Sequence, residues 1–188
     1  MMRSFFVCAL AVLVCAGNPR AAAAASSFTL SSATFPAGGT IPLTAVYDRS
    51  GCAGRNVSPE LRWTGAPAET KSFALVVFDP KANRGLGWYH WLAFDIPVQA
   101  HELPAGAGDP GSPATPHGIV FGRNDFGSTA YGGPCPPIGD GPHPYQFTLY
   151  ALNVAHLPVS GTTTGIQVGD VLRGHILAHA TYEGSYGR

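Results

Sequence analysis

The order of apolar and polar residues predicts a chain built mainly from short β-strands. Residues 71–80, KSFALVVFDP, are apolar on both faces, as is typical of a strand in the middle of a sandwich. Residues 143–153, HPYQFTLYALN, alternate, so that every second side chain shares one face. Those side chains are Tyr145, Phe147, Leu149 and Ala151. Residues 175–186, HILAHATYEGSY, alternate similarly and are predicted to close the chain as a strand.

Residues 87–97, GWYHWLAFDIP, also alternate and predict a strand with two different faces. One face would carry Trp88, His90, Leu92 and Phe94, and the other Tyr89, Trp91, Ala93 and Asp95. Residues 27–47 predict two short strands around a turn at 36–39, and residues 52–63 predict a loop that enters a strand. Residues 162–172 predict a weak helix, since Gly165 and Gly169 dilute it.

A long stretch rich in glycine and proline, residues 103–141, separates these elements. Loops of this length in compact domains are generally functional or disordered. The aromatic residues and the cysteine of this stretch favour a function. Its last part, YGGPCPPIGDGP, leads directly into His143 and Tyr145. Prolines stiffen such a loop, and glycines let main-chain N–H groups approach a ligand closely.

Composition supports a single globular domain rather than a disordered or fibrous chain. The 188 residues are 45% hydrophobic and 12% charged, with 24 glycines and 17 prolines and no collagen-like period. Many short strands joined by tight turns are therefore expected.

The first 25 residues predict a secretory signal peptide, followed by a domain over residues 26–188. Arg3 precedes an apolar run over residues 5–17, and an alanine run supplies small residues for cleavage after Ala25. The run is shorter than the roughly 20 residues of a spanning helix, so no stable membrane insertion is expected. We therefore predict a periplasmic or secreted protein. The remaining chain has 9 basic and 11 acidic residues, a net charge of −2, which argues against nucleic-acid binding.

Removal of the signal peptide leaves two cysteines, Cys52 and Cys135. In an oxidising compartment such a pair is a disulfide candidate. The alternative is two free, buried thiols.

Four polar residues at predicted strand ends could form a small rigid pocket: Asp79, His90, His143 and Tyr145. Two imidazoles and a phenol are side chains that can hold a phosphate or carboxylate. An ionised Asp79 would repel an anion, so it would orient a histidine or share a proton with the ligand. Each residue also has an ordinary structural interpretation: a core histidine, a turn aspartate before proline, or a core tyrosine.

Signatures of catalysis are weak in this sequence. There is no G-x-S-x-G nucleophile motif. The carboxylate and histidines are dispersed and lack an H-E-x-x-H-like metal pattern. We therefore expect no enzymatic activity, no metal and no cofactor.

Six blocks of the sequence resemble, in order, the phosphatidylethanolamine-binding protein family, and most closely its bacterial Raf kinase inhibitor-like branch. The blocks are CAGRNVSPELRW, SFALVVFDP, WYHWLAFDIP, GRNDFG, YGGPCPPIGDGPHPYQFTLYAL and GHILAHATYEGSYGR. The resemblance implies a mainly β fold: two antiparallel sheets in a Greek-key sandwich, with one or two short helices. It also implies a small pocket for phosphate, phosphoryl head groups or acetate-like anions.

The resemblance assigns a ligand-binding set, which is Asp79, Trp88, His90, Cys135, His143 and Tyr145, with Cys135 contributing backbone. Two departures from the family pattern stand out. DPKAN replaces the family's DPDAP box, so that Lys81 should favour anions at the approach and Asn83 should loosen the loop. A family tyrosine before the tryptophan aligns near Gly85, so that wall of the pocket is missing or rebuilt.

Two functions remain open from the sequence. The first is an exported, non-enzymatic protein that binds a small anionic ligand. The second is a secreted inhibitor or interaction protein that acts on a protease or kinase through the loops around the pocket. Family members are often homodimers, but no residue of this chain decides the oligomeric state.

Overall fold

The computed structural model describes residues 27–188. The predicted signal peptide, residues 1–25, and residue 26 of the predicted domain lie outside the described residues. The strands are β1 Thr29–Ser31, β2 Leu61–Thr64, β3 Ser72–Asp79, β4 Trp88–Pro97, β5 Glu102–Leu103, β6 Val120–Phe121, β7 His143–Leu152 and β8 Ile176–Tyr186. The helices are α1 Ala82–Gly85 and α2 Val168–Leu172, and a 3₁₀ turn spans Gly165–Gln167.

The strands form two antiparallel sheets, which confirms the predicted fold class. The smaller sheet has the order β1-β2-β5, and the larger has the order β6-β4-β3-β7-β8. Strand β3 lies at the centre of the larger sheet, as its apolar character on both faces predicts. The strand ends at Asp79, where Pro80 cannot continue the ladder.

In the larger sheet, strands β3 and β4 are buried on both faces, whereas the edge strand β8 is partly exposed. One face packs against the smaller sheet around Trp63, Phe73 and Phe147. The other face is covered by α2 and the segment before it, around Phe94, Leu157 and Leu172. Burial of this apolar surface is the main favourable term that holds the two sheets together.

A β-bulge in β4 changes the side-chain pattern that simple alternation predicts. Val77 pairs with Trp91 while the next residue, Phe78, pairs with Tyr89, so that His90 is an extra residue on β4. Trp88 and His90 share a face as predicted. Beyond the bulge the prediction was wrong, because Leu92 and Phe94 pack in the helix-covered core and Trp91 and Ala93 face the smaller sheet. The predicted place of Asp95 beside Trp91 was also wrong, since its carboxylate accepts from the Leu157 amide at 3.0 Å.

Two other predictions of secondary structure need correction. Residues 40–47 form turns rather than a second strand, and only Thr40 pairs, in an isolated bridge to Ser185. Pro42 has no N–H to give a ladder, and its carbonyl instead accepts from the Ala45 amide at 2.9 Å. The predicted helix over residues 162–172 begins three residues later, after Thr164, whose amide donates to Gln167 Oε1 at 2.9 Å.

Helix α1 is a single irregular turn rather than a regular helix. Asn83 and Arg84 have φ values of 48° and 58°, which lie in the left-handed region. No helix within residues 27–188 has the length and apolar character needed to cross a membrane.

Cys52 and Cys135 form a disulfide, with their Cα atoms 5.9 Å apart. The bond joins the loop before β2 to the glycine- and proline-rich loop before β7. It closes a loop with a sequence separation of 83 residues.

Reduction of this disulfide should lower the stability of the protein. The chain-entropy model gives a loss of about 4–5 kcal/mol in the free energy of unfolding for a loop of this size. Urea denaturation of the oxidised protein, the reduced protein and the variant Cys52→Ser/Cys135→Ser would measure it. Equal unfolding midpoints for the three forms would contradict a structural role.

Candidate functional site

A cavity of about 540 Å³ opens where β3 ends and β7 begins. All six residues predicted to bind a ligand lie in its lining. The lining consists of Asp79, Ala82, Asn83, Arg84, Trp88, His90, Phe126, Cys135, Pro136, Pro137, Asp140, His143 and Tyr145. The pairing of β3 with both β4 and β7 brings these side chains together from distant parts of the sequence.

Asp79 is buried at the end of β3 and uses its two carboxylate oxygens for different tasks. Oδ1 accepts from the main-chain amides of Lys81 and Ala82, at 2.9 and 3.1 Å. Oδ2 accepts from Nδ1 of His143 at 2.7 Å. Asp79 therefore both accepts from the turn after β3 and contacts the imidazole of His143.

His143 is held by this contact in one orientation. Its side chain is 1% exposed, and its Nδ1–H must be the donor because a carboxylate only accepts. Its other nitrogen, Nε2, is buried and has no hydrogen-bond partner within the described residues. The closest charged group to Nε2 is the carboxylate of Asp140, at 3.6 Å, which is beyond hydrogen-bonding distance.

His90 is fixed by the loop that faces it. Its Nδ1–H donates to the main-chain carbonyl of Gly132 at 2.6 Å, and its own carbonyl accepts from the Gly132 amide at 3.0 Å. Its ring lies edge-on to those of Tyr145 and Phe126, with centroids 5.1 and 5.4 Å away. Burial lowers the pKa of His90, because the charged form loses its hydration, so the neutral form is favoured.

Two hydrogen-bond donors complete the interior of the cavity. Burial, and next the negative charge of Asp79, raise the pKa of Tyr145, so that its hydroxyl keeps its proton. The indole N–H of Trp88 is buried without an acceptor among residues 27–188. Buried polar groups are almost always paired, so an unpaired donor in a cavity indicates a place for a ligand atom or a water.

The charges at the rim differ from those the sequence predicts. The ammonium of Lys81 donates to the main-chain carbonyls of Asp140 and Pro142, at 2.7 and 3.2 Å, and Lys81 does not line the cavity. Arg84 lines it instead and makes no ion pair or side-chain hydrogen bond with other described residues. Asn83 and Arg84 directly precede Gly85, the position at which the family's tyrosine is absent. These two residues line the cavity there in its place.

The wall formed by residues 132–137 is attached to the protein at several points. Asn56 Oδ1 accepts from the Gly133 amide at 2.8 Å, and the Pro134 carbonyl accepts from the Tyr47 amide at 3.1 Å. The guanidinium of Arg188 donates to the Pro136 carbonyl at 2.6 Å. A Cβ at Gly133 would lie 2.1 Å from the carbonyl oxygen of Ala45, so the chain needs glycine where this wall passes its neighbour. These contacts, with the disulfide, make the loop a fixed surface.

Sequence reasoning missed three lining residues that matter for chemistry and shape: Arg84, Phe126 and Asp140. Phe126 lies within the GRNDFG block, and its ring centroid is 5.4 Å from that of Trp88. Asp140 lies three residues before His143 in the proline-rich loop. No periodic signal marks these residues, because all three lie in turns. Within residues 27–188, no group of three or more His, Cys, Asp or Glu residues has the arrangement of a metal site.

Comparisons with known proteins agree with this fold. A family model described as phosphatidylethanolamine-binding protein matches residues 31–187. The YbcL protein of Escherichia coli is 42% identical over 158 residues, 84% of this chain and 86% of YbcL. The crystal structure of E. coli YbcL matches with a TM-score of 0.82 at 41% identity, over 86% of this chain and 98% of that chain.

Two further relatives extend the comparison. The YbhB protein of E. coli is 40% identical over 144 residues, 77% of this chain and 90% of YbhB. The LppC protein of Mycobacterium tuberculosis, which bears the name of a lipoprotein, is 38% identical over 151 residues, 80% of this chain and 68% of LppC.

The lowered pKa of His90 predicts a pH-dependent stability. Below the ordinary histidine pKa of about 6.5, the unfolded chain binds a proton that the folded His90 does not. The free energy of unfolding should therefore fall as the pH drops, by at most about 1.4 kcal/mol per pH unit from this group. Urea denaturation at several pH values should show a smaller slope for His90→Gln, and equal slopes would contradict the assignment.

Asp79→Asn should reverse the tautomer of His143. The amides of Lys81 and Ala82 need an acceptor, so the new Asn oxygen should face them and its NH₂ should face Nδ1 of His143. The imidazole proton then moves to Nε2. Long-range ¹H–¹⁵N NMR spectra of the histidines would show the exchange, with the exposed Asp170→Asn as a control. The same protonated nitrogen in both proteins would refute it.

Proposed function

Because this chain belongs to the phosphatidylethanolamine-binding protein family, in its bacterial branch, we propose that it is an exported, non-enzymatic binding protein whose cavity takes a small anion. The ligand group would be phosphate, a phosphoryl group or a carboxylate. One observation carries the proposal: the buried indole N–H of Trp88 has no acceptor among the described residues and lies in the lining of the cavity. An oxygen of a bound anion would satisfy this donor.

Other groups in the lining support the same ligand class. The guanidinium of Arg84 supplies positive charge and up to five N–H donors at the rim. The main-chain amide of Cys135 also has no acceptor within residues 27–188, and it belongs to the fixed wall. Oxyanions are recognised by such converging donors.

Two features of the lining support binding without catalysis. None of its residues is a serine or threonine, and the sulfur of its one cysteine, Cys135, is held in a disulfide. The Asp79–His143 pair resembles the orienting half of a catalytic triad, but the lining offers it no serine, threonine or free cysteine as a nucleophile. A histidine so placed binds and orients a ligand.

Export is supported by two independent observations. A disulfide is rare in a cytosolic protein and common in an exported one. The relative LppC bears the name of a lipoprotein, which is a class of exported protein. The predicted signal peptide over residues 1–25 accords with both.

The alternative function, an inhibitor or interaction protein, is favoured by one observation at the rim. Leu86 and Ile138 are 80% and 81% exposed. Leu86 lies two residues before Trp88, and Ile138 directly follows Pro137, and both of these neighbours line the cavity. Large aliphatic side chains that flank a cavity can contact a protein partner. In this alternative the partner would be a protease or kinase, and the cavity would receive a side chain of it.

Substitution of Trp88 tests the anion proposal directly. Trp88→Phe keeps a ring but removes the N–H, and it should weaken binding of inorganic phosphate by about tenfold, which corresponds to about 1.4 kcal/mol. Isothermal titration calorimetry would measure the affinity. Arg173→Gln, a substitution of an exposed arginine paired with Asp170 on α2, serves as the control and should bind like the unmodified protein.

Two results would separate the functions. If Trp88→Phe binds phosphate as tightly as the unmodified protein, the anion does not occupy this cavity. The second result concerns both variants: Trp88→Phe loses phosphate binding but still inhibits a protease or kinase, whereas Leu86→Ser/Ile138→Ser loses that inhibition. The rim then acts independently of the cavity, and the alternative function is correct.

A further inference from the structure

We propose that the cavity binds small ligands that carry two anionic groups. The first group lies in the interior beside the indole of Trp88, and the second lies at the opening on the guanidinium of Arg84. A phosphate ester that bears a carboxylate belongs to this class, and so does a dicarboxylate. The inference rests on the proposed anion binding and adds to it the part of the ligand that reaches the rim.

The backbone of Arg84 has a conformation that arginine rarely adopts. Asn83 and Arg84 have φ values of 48° and 58° in succession. Two successive left-handed residues form a turn whose second position favours glycine, and Arg84 occupies that position. Asparagine tolerates the left-handed region, whereas most other residues with a Cβ are strained there. Strain of this kind concentrates at binding sites and persists where surrounding contacts enforce it.

Hydrogen bonds on both sides of Arg84 enforce this turn. Before it, the carboxylate of Asp79 accepts from the amides of Lys81 and Ala82, at 2.9 and 3.1 Å. After it, the amide of Gly87 donates to the carbonyl of Ala82 at 3.0 Å. The protein itself therefore positions the backbone of Arg84 in the lining, and a ligand does not have to order it.

The charge of Arg84 is not neutralised by its neighbours. Among the described residues that line the cavity, it is the one lysine or arginine. Asp140 lies in the same lining but makes no ion pair with Arg84, and its side chain contacts Nε2 of His143 at 3.6 Å instead. A guanidinium stays charged and presents N–H donors in a planar fork that fits a carboxylate or a phosphate. An anionic group of a ligand is therefore the partner that suits Arg84.

Trp88 and Arg84 lie at different depths of the cavity. The indole N–H of Trp88 is buried, whereas the side chain of Arg84 is exposed. The cavity has a volume of about 540 Å³, and pockets of roughly 300–1,000 Å³ take molecules of drug size. A single phosphate or carboxylate group would leave most of this space empty. A ligand that satisfies both donors therefore carries one anionic group at each depth.

The test measures how much a second anionic group adds to the affinity. Phosphoglycolate and ethyl phosphate share a phosphate ester and differ in a carboxylate against a methyl group. Dicarboxylates from succinate to adipate, each compared with the monocarboxylate of the same length, cover a range of separations between the two groups. Isothermal titration calorimetry on the oxidised protein at about pH 7.5, where a phosphomonoester has lost its second proton, would give the affinities. An ionic strength of about 0.01 M keeps screening weak.

In at least one of the two series, the ligand with the second anionic group should bind at least about fivefold more tightly, which corresponds to about 1 kcal/mol. If no ligand gains affinity from its second group, the inference is wrong while anion binding stands. Failure of every ligand to bind, inorganic phosphate included, would overturn the proposed function and this inference together.

Three variants connect this gain to Arg84. Arg84→Gln should abolish the gain, and Arg84→Gly, which removes the same group and suits the left-handed φ, should abolish it equally. Lys81→Gln removes the same charge from the same turn, but the side chain of Lys81 does not line the cavity, so the gain should persist. An equal loss of the gain in Lys81→Gln and Arg84→Gln would overturn the inference, because the general charge of the turn would then be responsible. A gain that survives in both Arg84 variants would overturn it as well.

Discussion

The arrangement of the cavity depends on the hydrogen bond between Asp79 and His143. The two residues are 64 positions apart, at the end of β3 and the start of β7, and neither side chain is exposed. A buried carboxylate is costly unless it is fully hydrogen-bonded, and here two main-chain amides and one imidazole satisfy it. The same contacts fix the turn after β3, which carries Arg84, and the direction of the imidazole. The carboxylate of Asp79 therefore fixes both the turn at the rim of the cavity and the imidazole of His143 in its interior.

The sequence predicts the sheets well because alternation is a local signal. The faces of β7 and β8 follow directly from alternation, and the two-sided burial of β3 follows from its continuous apolar run, which is an equally local signal. The bulge at His90 does not, since it depends on pairing between β3 and β4 that the order of residues in β4 alone cannot show. Alternation alone assigns Leu92 to the same face as Trp88. Because His90 is an extra residue in β4, Leu92 instead lies on the other face, in the core covered by α2.

The predicted site residues do meet at one cavity, but the sequence did not indicate how their charges are used. Lys81 was expected to attract anions, yet its ammonium is bound to two main-chain carbonyls, and Arg84 lies at the opening instead. The position of Arg84 depends on the left-handed turn at Asn83 and Arg84. The residues on either side of this turn do not predict that conformation. Phe126 and Asp140 escape prediction for the same reason. Loop residues acquire their positions from contacts that are distant in sequence, and those contacts carry no period.

The attachment of the proline-rich wall to Asn56, Cys52 and Arg188 has a kinetic consequence. These anchors join residues that are far apart in sequence: 52 positions for the contact of Arg188, 77 for that of Asn56 and 83 for the disulfide. Contacts between residues so distant form late in folding, because the entropy cost of closing a large loop comes before the contacts can stabilise the chain. The pairing of β3 with β7 closes loops of similar size, so the wall and the larger sheet are completed together, and a partly folded chain that lacks this pairing also lacks the cavity.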